Sequence, residues 1–242
     1  VDELFSTLFN QPYGTDSGTQ VALAAISSLL TAVALMLLAH RNDLGWWAQI
    51  LAVFAGPLVL ALSFGYEGLY FAVPALAVAA YGLWRFSSFD LRGRFTRAVE
   101  PAPLTAGRVL TGVVLALLLT AAQWGPFLFN GYAFGAATGR IWLAYAATAV
   151  VTAALVGIAN GVRAAWIAVV LGSAGSIATL FAGTPPFGTL LTLVLQLLVA
   201  GYGFFVWGAL RLSGAEPGAA GGAAQHDVGG SAAAYPPSPY RD

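Results

Sequence analysis

Residues 187–209, FGTLLTLVLQLLVAGYGFFVWGA, hold no charged side chain and a single amide, Gln196. Crossing a bilayer as a helix takes about 20 consecutive, mostly apolar residues. In hydrocarbon every backbone N–H and C=O must be satisfied within the chain, so a continuous apolar run of this length reads as a helix. A barrel strand would instead alternate polar and apolar residues over about ten positions. The stretch decides for an all-α integral membrane protein.

Applied to the whole chain, the same reading gives spans at 20–39, 45–64, 68–86, 108–130, 140–159, 163–182 and 187–209. Composition agrees: 59% of the 242 residues are hydrophobic and 8% charged, against about a quarter charged in a soluble domain. The chain divides into a polar external segment (1–19), a first three-helix bundle (20–86), an Arg-rich cytoplasmic loop (87–107), a linker helix (108–130), a second three-helix bundle (140–210) and a Gly/Ala/Pro-rich tail (211–242). The opening VDELFSTLFNQPYGTDSG is acidic and polar and lacks the basic start and short apolar core of a cleaved signal peptide. The tail is too poor in aliphatics to repay the entropy of ordering and is expected to be disordered.

Charge narrows the function. Ten cationic side chains, all Arg, balance ten carboxylates, so no excess of positive charge is available to attract nucleic acid. With no Cys and only His40 and His226, neither thiol chemistry nor a metal site is expected. Arg41, Arg85, Arg92, Arg94, Arg97, Arg108, Arg163, Arg211 and Arg241 fall on one side of a seven-span topology and Arg140 alone on the other. Cytoplasmic loops are enriched in Arg, which predicts a cell-membrane protein with its N-terminus outside and its C-terminus in the cytoplasm.

Spans one to three and five to seven share a layout. The first unit runs from LLAHRND (37–43) through Trp46 and the turn FGYEG to Tyr81-Gly82-Leu83-Trp84; the second runs from VGIANGVR (156–163) through Trp166 and the turn AGTPPFG to Tyr202-Gly203 and Trp207. Trp46 and Tyr81 are 35 positions apart, Trp166 and Tyr202 36. An extra span between two three-span units gives both the same orientation, so the repeats are predicted to be parallel.

At these residues the chain resembles the Pnu family of bacterial vitamin carriers, which move nicotinamide riboside, riboflavin or thiamine. The resemblance spans about residues 20–210 and rests on the basic turn before Trp46, the third span closing in Tyr81-Gly82 and Trp84, the Arg-bearing turn before Trp166, and Tyr202-Gly203 with Trp207. It implies a SWEET-like 3+1+3 fold and facilitated diffusion driven by consumption of the substrate in the cytoplasm. Family members typically carry Asn early in the second span and Gln and Tyr in the third. Here those regions offer Ala52, Val53, Ala72 and Ala75.

Ionisable groups deep in a span mark proton or ion pathways, and Asp43, Glu67, Arg85, Arg140 and Arg163 all sit at span ends or turns. Uncoupled transport fits that placement. Paired carboxylates, HExxH, GxSxG and phosphate-cradling GxxxxGKS motifs are missing, so no catalytic residue and no cofactor is assigned. A flat, mostly neutral vitamin needs aromatic faces and a few amides or hydroxyls near the midplane. By depth the candidates are Gln123 and Trp124 on span four, Ser173 and Ser176 on span six, and Gln196 on span seven. Gln49, one turn from Trp46, is a candidate for a gate.

Each candidate has a plainer reading. LGSAGS around Ser173 and Ser176 suits a packing seam of small residues, and Gln123 or Gln196 could bond between helices. Trp46, Trp47, Trp84, Trp166 and Trp207 fit an interfacial aromatic belt. Pro57 and Pro74 could kink spans two and three. The leading expectation is a small-molecule carrier; the alternative is a non-transporting accessory subunit whose small-residue faces (Gly112, Gly157, Gly161, Gly172, Gly175) pack on a membrane partner or on a second copy.

Overall fold

The computed structural model describes residues 18–58, 69–87, 102–123, 139–180 and 187–213. Among them lie α1 (Gly18–Ala39), α2 (Leu44–Val53, continued by a π-helical turn Phe54–Leu58), α3 (Leu69–Ser87), α4 (Ala106–Gln123), α5 (Gly139–Ala159), α6 (Ala165–Leu180) and α7 (Phe187–Ser213). The all-α expectation is met. α7 runs past the predicted end at 209 to Ser213. Trp124, Glu67, the loop arginines Arg92, Arg94 and Arg97, and the tail from 214 on lie outside the described residues.

Six of the helices close into a ring. α1 packs on α2, α2 on α3, α3 on α5, α5 on α6, α6 on α7, and α7 back on α1, while α4 lies outside against α5. Each three-helix bundle, α1–α3 and α5–α7, is therefore half of the ring, with α4 joining them. The outer faces are apolar and exposed: Leu29, Val33 and Met36 on α1, Leu171 on α6, Leu198 and Phe205 on α7, and Leu110, Leu117 and Leu118 on α4. Exposed apolar helix faces on this scale suit lipid rather than water. The helices Ala106–Gln123, Trp142–Ala159 and Thr189–Gly208 are each long and apolar enough to span a membrane.

The α1–α2 and α5–α6 turns have the same hydrogen bonds 120 positions apart. Arg41 N–H donates to Leu38 O at 2.9 Å and Asn42 N–H to Leu37 O at 2.9 Å; Gly161 N–H donates to Ile158 O at 3.0 Å and Val162 N–H to Gly157 O at 2.9 Å. This is the Schellman pattern, whose C′ residue takes a left-handed conformation. Arg41 has φ 59° and Gly161 φ 76°. After each turn a Trp starts the next helix, its N–H bonded to the carbonyl three residues back, Trp46 to Asp43 and Trp166 to Arg163. Ala102 N–H donates to Gly161 O at 2.7 Å, pinning the entry to α4 on the second turn.

Trp46, Trp166 and Trp207 are fully buried, which corrects the belt reading for these three. Gly82 on α3 lies flat on Trp46 and Gly203 on α7 lies flat on Trp166, each with no room for a Cβ. One turn further on, Phe86 meets Trp46 edge to face at 5.6 Å and Trp207 meets Trp166 at 5.7 Å. Trp47 and Trp84 stay exposed, as a belt requires.

The second helix keeps its Pro inside a π-turn. In an i→i−5 pattern the donor to Ala52 O would be residue 57, and Pro57 has no N–H. Ser27 Oγ on α1 donates to Ala52 O instead, at 2.8 Å. The glycines offered as partner-binding faces are mostly used inside the chain, which corrects that motive: Gly157 packs on Ala165, Gly172 and Gly175 pack on α5 residues, and Gly161 makes the turn. Gly112 alone of the five has open space beside it.

Candidate functional site

Small polar side chains gather on the α1, α6 and α7 side of the ring. Ser28 Oγ on α1, completely buried, is hydrogen-bonded to Thr192 Oγ1 on α7. Gln196 is one turn along α7 and on the same face, and its Oε1 accepts from Ser173 Oγ on α6 at 3.4 Å. The result is a line of uncharged hydroxyl and amide groups from α1 across α7 to α6. From Thr192 to Tyr202 at the far end of α7 is ten residues, about 15 Å of helix, which sets this line well inside the span.

Of the candidates read from sequence, Ser173 and Gln196 come together and both line this layer. Ser176 is buried on the same helix, and its carbonyl accepts from Thr179 Oγ1 at 2.7 Å. Gln123 is buried at the end of α4, away from the ring's inner layer, with Oε1 unpartnered among the described residues. Gln49 is 8% exposed on α2 and its Oε1 has no hydrogen-bond partner among the described residues. A buried carbonyl without a donor costs about 1–3 kcal/mol. Two residues escaped the sequence reading. Ser28 and Thr192 look like isolated hydroxyls in apolar spans, and the only hint was the Ser27-Ser28 pair in the first span.

On α2 and α3 the corresponding positions are small and apolar. Ala52, Val53 and Ala72, in the regions where the Pnu resemblance expects amides, are buried. The uncharged polar groups of this layer thus belong to α1, α6 and α7, with Gln49 on α2. A separate apolar groove of about 300 Å³ lies outside the ring between α4 and the α5–α6 pair, among Val109, Gly112, Ala116, Ala153 and Ala168.

At the end marked by the two turns the ring is shut. Tyr81 Oη on α3 donates to Asn160 Oδ1 after α5 at 3.1 Å, and Tyr202 Oη on α7 lies 3.1 Å from His40 Nε2 after α1. Each Tyr thus ties the third helix of one half to the turn of the other. Arg85 Nε also donates to Asn160 Oδ1, at 3.3 Å, and Asn160 Nδ2 donates to Val156 O at 2.8 Å. Trp207 Nε1 donates to Ala39 O at 2.9 Å. Arg163 spans its own half, donating from Nε to Phe204 O at 3.0 Å with its guanidinium 4.0 Å from the Phe204 ring centre.

No protein-family model matches the sequence, and no curated protein matches it. Its fold is similar to one solved as "Crystal structure of the Vitamin B3 transporter PnuC", with a TM-score of 0.60 and 15% identity over 87% of this chain and 87% of that one. The likeness extends over most of the chain, which has the Pnu-type fold of that transporter.

Proposed function

We propose that the protein is a multi-pass carrier that moves a small, uncharged or weakly charged vitamin or nucleoside across the cell membrane by uncoupled alternating access. The observation that carries this reading is the line of neutral polar groups, Ser28, Thr192, Gln196 and Ser173, placed inside a six-helix ring with an apolar exterior. Hydroxyls and amides recognise a substrate by hydrogen bonds and impose no charge of their own. Gln49 and Ser176 complete the proposed contact set; Gln123, a candidate from sequence, sits on α4 outside the ring and is left out of it. The solved relative in fold is a vitamin B3 transporter, and nicotinamide riboside and riboflavin are the substrates to try first.

The two halves are read as copies of one three-helix unit, supported by the turns repeated at 120 positions and by the paired Trp–Gly contacts. Arg41, Arg85, Arg108 and Arg163 share the end bearing those turns, which supports a cytoplasmic placement for it and an N-terminus outside. Transport is the reading rather than catalysis, since every group in the polar line is a neutral hydroxyl or amide.

The test is thermal unfolding of the purified protein with nicotinamide riboside, riboflavin and thiamine, since a ligand that binds only the folded state raises the midpoint by RT ln(1 + [L]/Kd). A saturable rise with one of them, followed by its uptake into proteoliposomes, is the expected result. Folded protein that shifts with none of them sinks the carrier reading in favour of a non-transporting subunit.

A further inference from the structure

The two seams between the halves of the ring occupy equivalent places, and they are built differently. Along α1–α7 the cross-half hydrogen bonds occur at two levels: Ser28 with Thr192 inside the span, and His40 with Tyr202 and Ala39 O with Trp207 Nε1 at the turn end. Thr192 and Trp207 are fifteen residues apart, about 22 Å of helix. α7 also packs on α1 far more extensively than α3 packs on α5.

Along α3–α5 two donors at the turn end converge on one atom. Tyr81 Oη and Arg85 Nε both donate to Asn160 Oδ1, at 3.1 and 3.3 Å. The Asn160 amide cannot turn away, because its Nδ2 is bonded to Val156 O. Phe86 stands in α3 where Trp207 stands in α7, one turn beyond the Gly that faces a Trp. A Phe has no N–H with which to repeat the bond to the opposite turn.

Packing within the halves follows the same division. Gly82 is locked on the Trp46 indole, so the end of α3 travels with α2. α3 also contains Pro74 seven residues before Tyr81. A Pro inside a helix removes one backbone hydrogen bond and is the usual place for such a helix to bend.

We infer that the α1–α7 seam is the fixed hinge of the ring and that the ring opens at the α3–α5 seam, where Tyr81 and Arg85 on Asn160 form the latch. The inference rests on the carrier reading for its purpose, though the motion can be observed without any ligand. A hinge needs bonding along its length so that its helices stay in register. A gate needs a closure that yields together, and two donors on one oxygen supply that.

The chain has no Cys, so paired labels can be placed directly. Spin labels at Ala80 on α3 and Leu110 on α4 report the α3–α5 seam, and labels at Met36 on α1 and Phe205 on α7 report the hinge; all four positions are exposed. In the full chain reconstituted in lipid, Tyr81→Phe, and separately Arg85→Leu, should add a component several Å longer to the Ala80–Leu110 distance distribution. Met36–Phe205 should remain narrow in both variants and in Tyr202→Phe. No change at Ala80–Leu110 in either variant, or lengthening of Met36–Phe205, overturns the assignment. Ligand stabilisation is a separate measurement, so failure of the carrier reading and failure of the hinge assignment are distinguishable.

Discussion

Gly203 lies so close to the indole of Trp166 that a Cβ there would come within 2.7 Å of Cε3, and Gly82 stands in the same relation to Trp46. The indole atoms belong to rigid rings that are themselves fully buried, so neither can swing aside. In a membrane, helices associate through close packing rather than by escape from water, and this contact sets the approach of α7 to α6 and of α3 to α2. Gly82→Ala and Gly203→Ala should each destabilise by about 1–3 kcal/mol, the usual cost of overpacking a core. Thermal unfolding in detergent measures it, and a midpoint unchanged in both variants contradicts the close approach.

Gly161 has φ 76° and closes the second Schellman turn. A side chain with a Cβ pays roughly 1–2 kcal/mol in the left-handed region, and Asn pays less because it tolerates that conformation. Gly161→Ala should therefore lower the unfolding midpoint, and Gly161→Asn should recover part of the loss. Equal effects from the two substitutions would mean that crowding, not backbone conformation, fixes this glycine.

Much of this arrangement is written in local sequence. Apolar run length gives the helices, and the recurring Trp followed by Tyr-Gly marks the two halves. What local sequence lacks is the direction in which a Trp faces. Trp46 and Trp47 are neighbours at a span end, yet one is buried and the other exposed, and the difference is made by Gly82 on another helix. The closures are hidden for the same reason: Tyr81 meets Asn160 79 residues away and Tyr202 meets His40 162 residues away. Ser173 and Gln196 could be picked out because a polar group in an apolar run must find a partner, but the identity of the partner depends on how α6 and α7 pack.

Ser27 supplies the donor that Pro57 lacks, bonding Ala52 O at 2.8 Å. Removing the hydroxyl leaves a carbonyl unpaired in a low-dielectric interior, at about 1–3 kcal/mol. Ser27→Ala should destabilise by that amount. The double variant Ser27→Ala/Pro57→Ala should lose less than Ser27→Ala does relative to its own Ser27 parent, because residue 57 then has an N–H to offer. Additive losses in the unfolding midpoints would show that the two residues are not coupled.

Trp207 Nε1 reaches across the hinge to Ala39 O. Trp207→Phe removes that bond and some buried ring area while giving α7 the residue that α3 carries at Phe86. The net worth of one hydrogen bond is about 0.5–1.5 kcal/mol, and the carbonyl left behind adds to the loss. The variant should melt earlier and broaden the Met36–Phe205 label distance. A lower midpoint with that distance still narrow would mean that Trp207 contributes packing but does not hold the hinge.

Gln49 and Gln196 should respond in opposite ways to the same change. Gln49 has a buried Oε1 with no partner among the described residues, so Gln49→Leu removes an unsatisfied group from the interior and should raise the unfolding midpoint of the ligand-free protein by an amount equivalent to about 1 kcal/mol. Gln196 accepts from Ser173, so Gln196→Leu leaves that serine without its partner and should lower the midpoint. If both amides serve the substrate, the stabilisation produced by the bound vitamin should shrink at least tenfold in apparent affinity in each variant, whatever the change in the free protein. A Gln49→Leu protein that is more stable and still binds at wild-type strength would remove Gln49 from the site and leave the α1, α6 and α7 groups to hold the substrate without it.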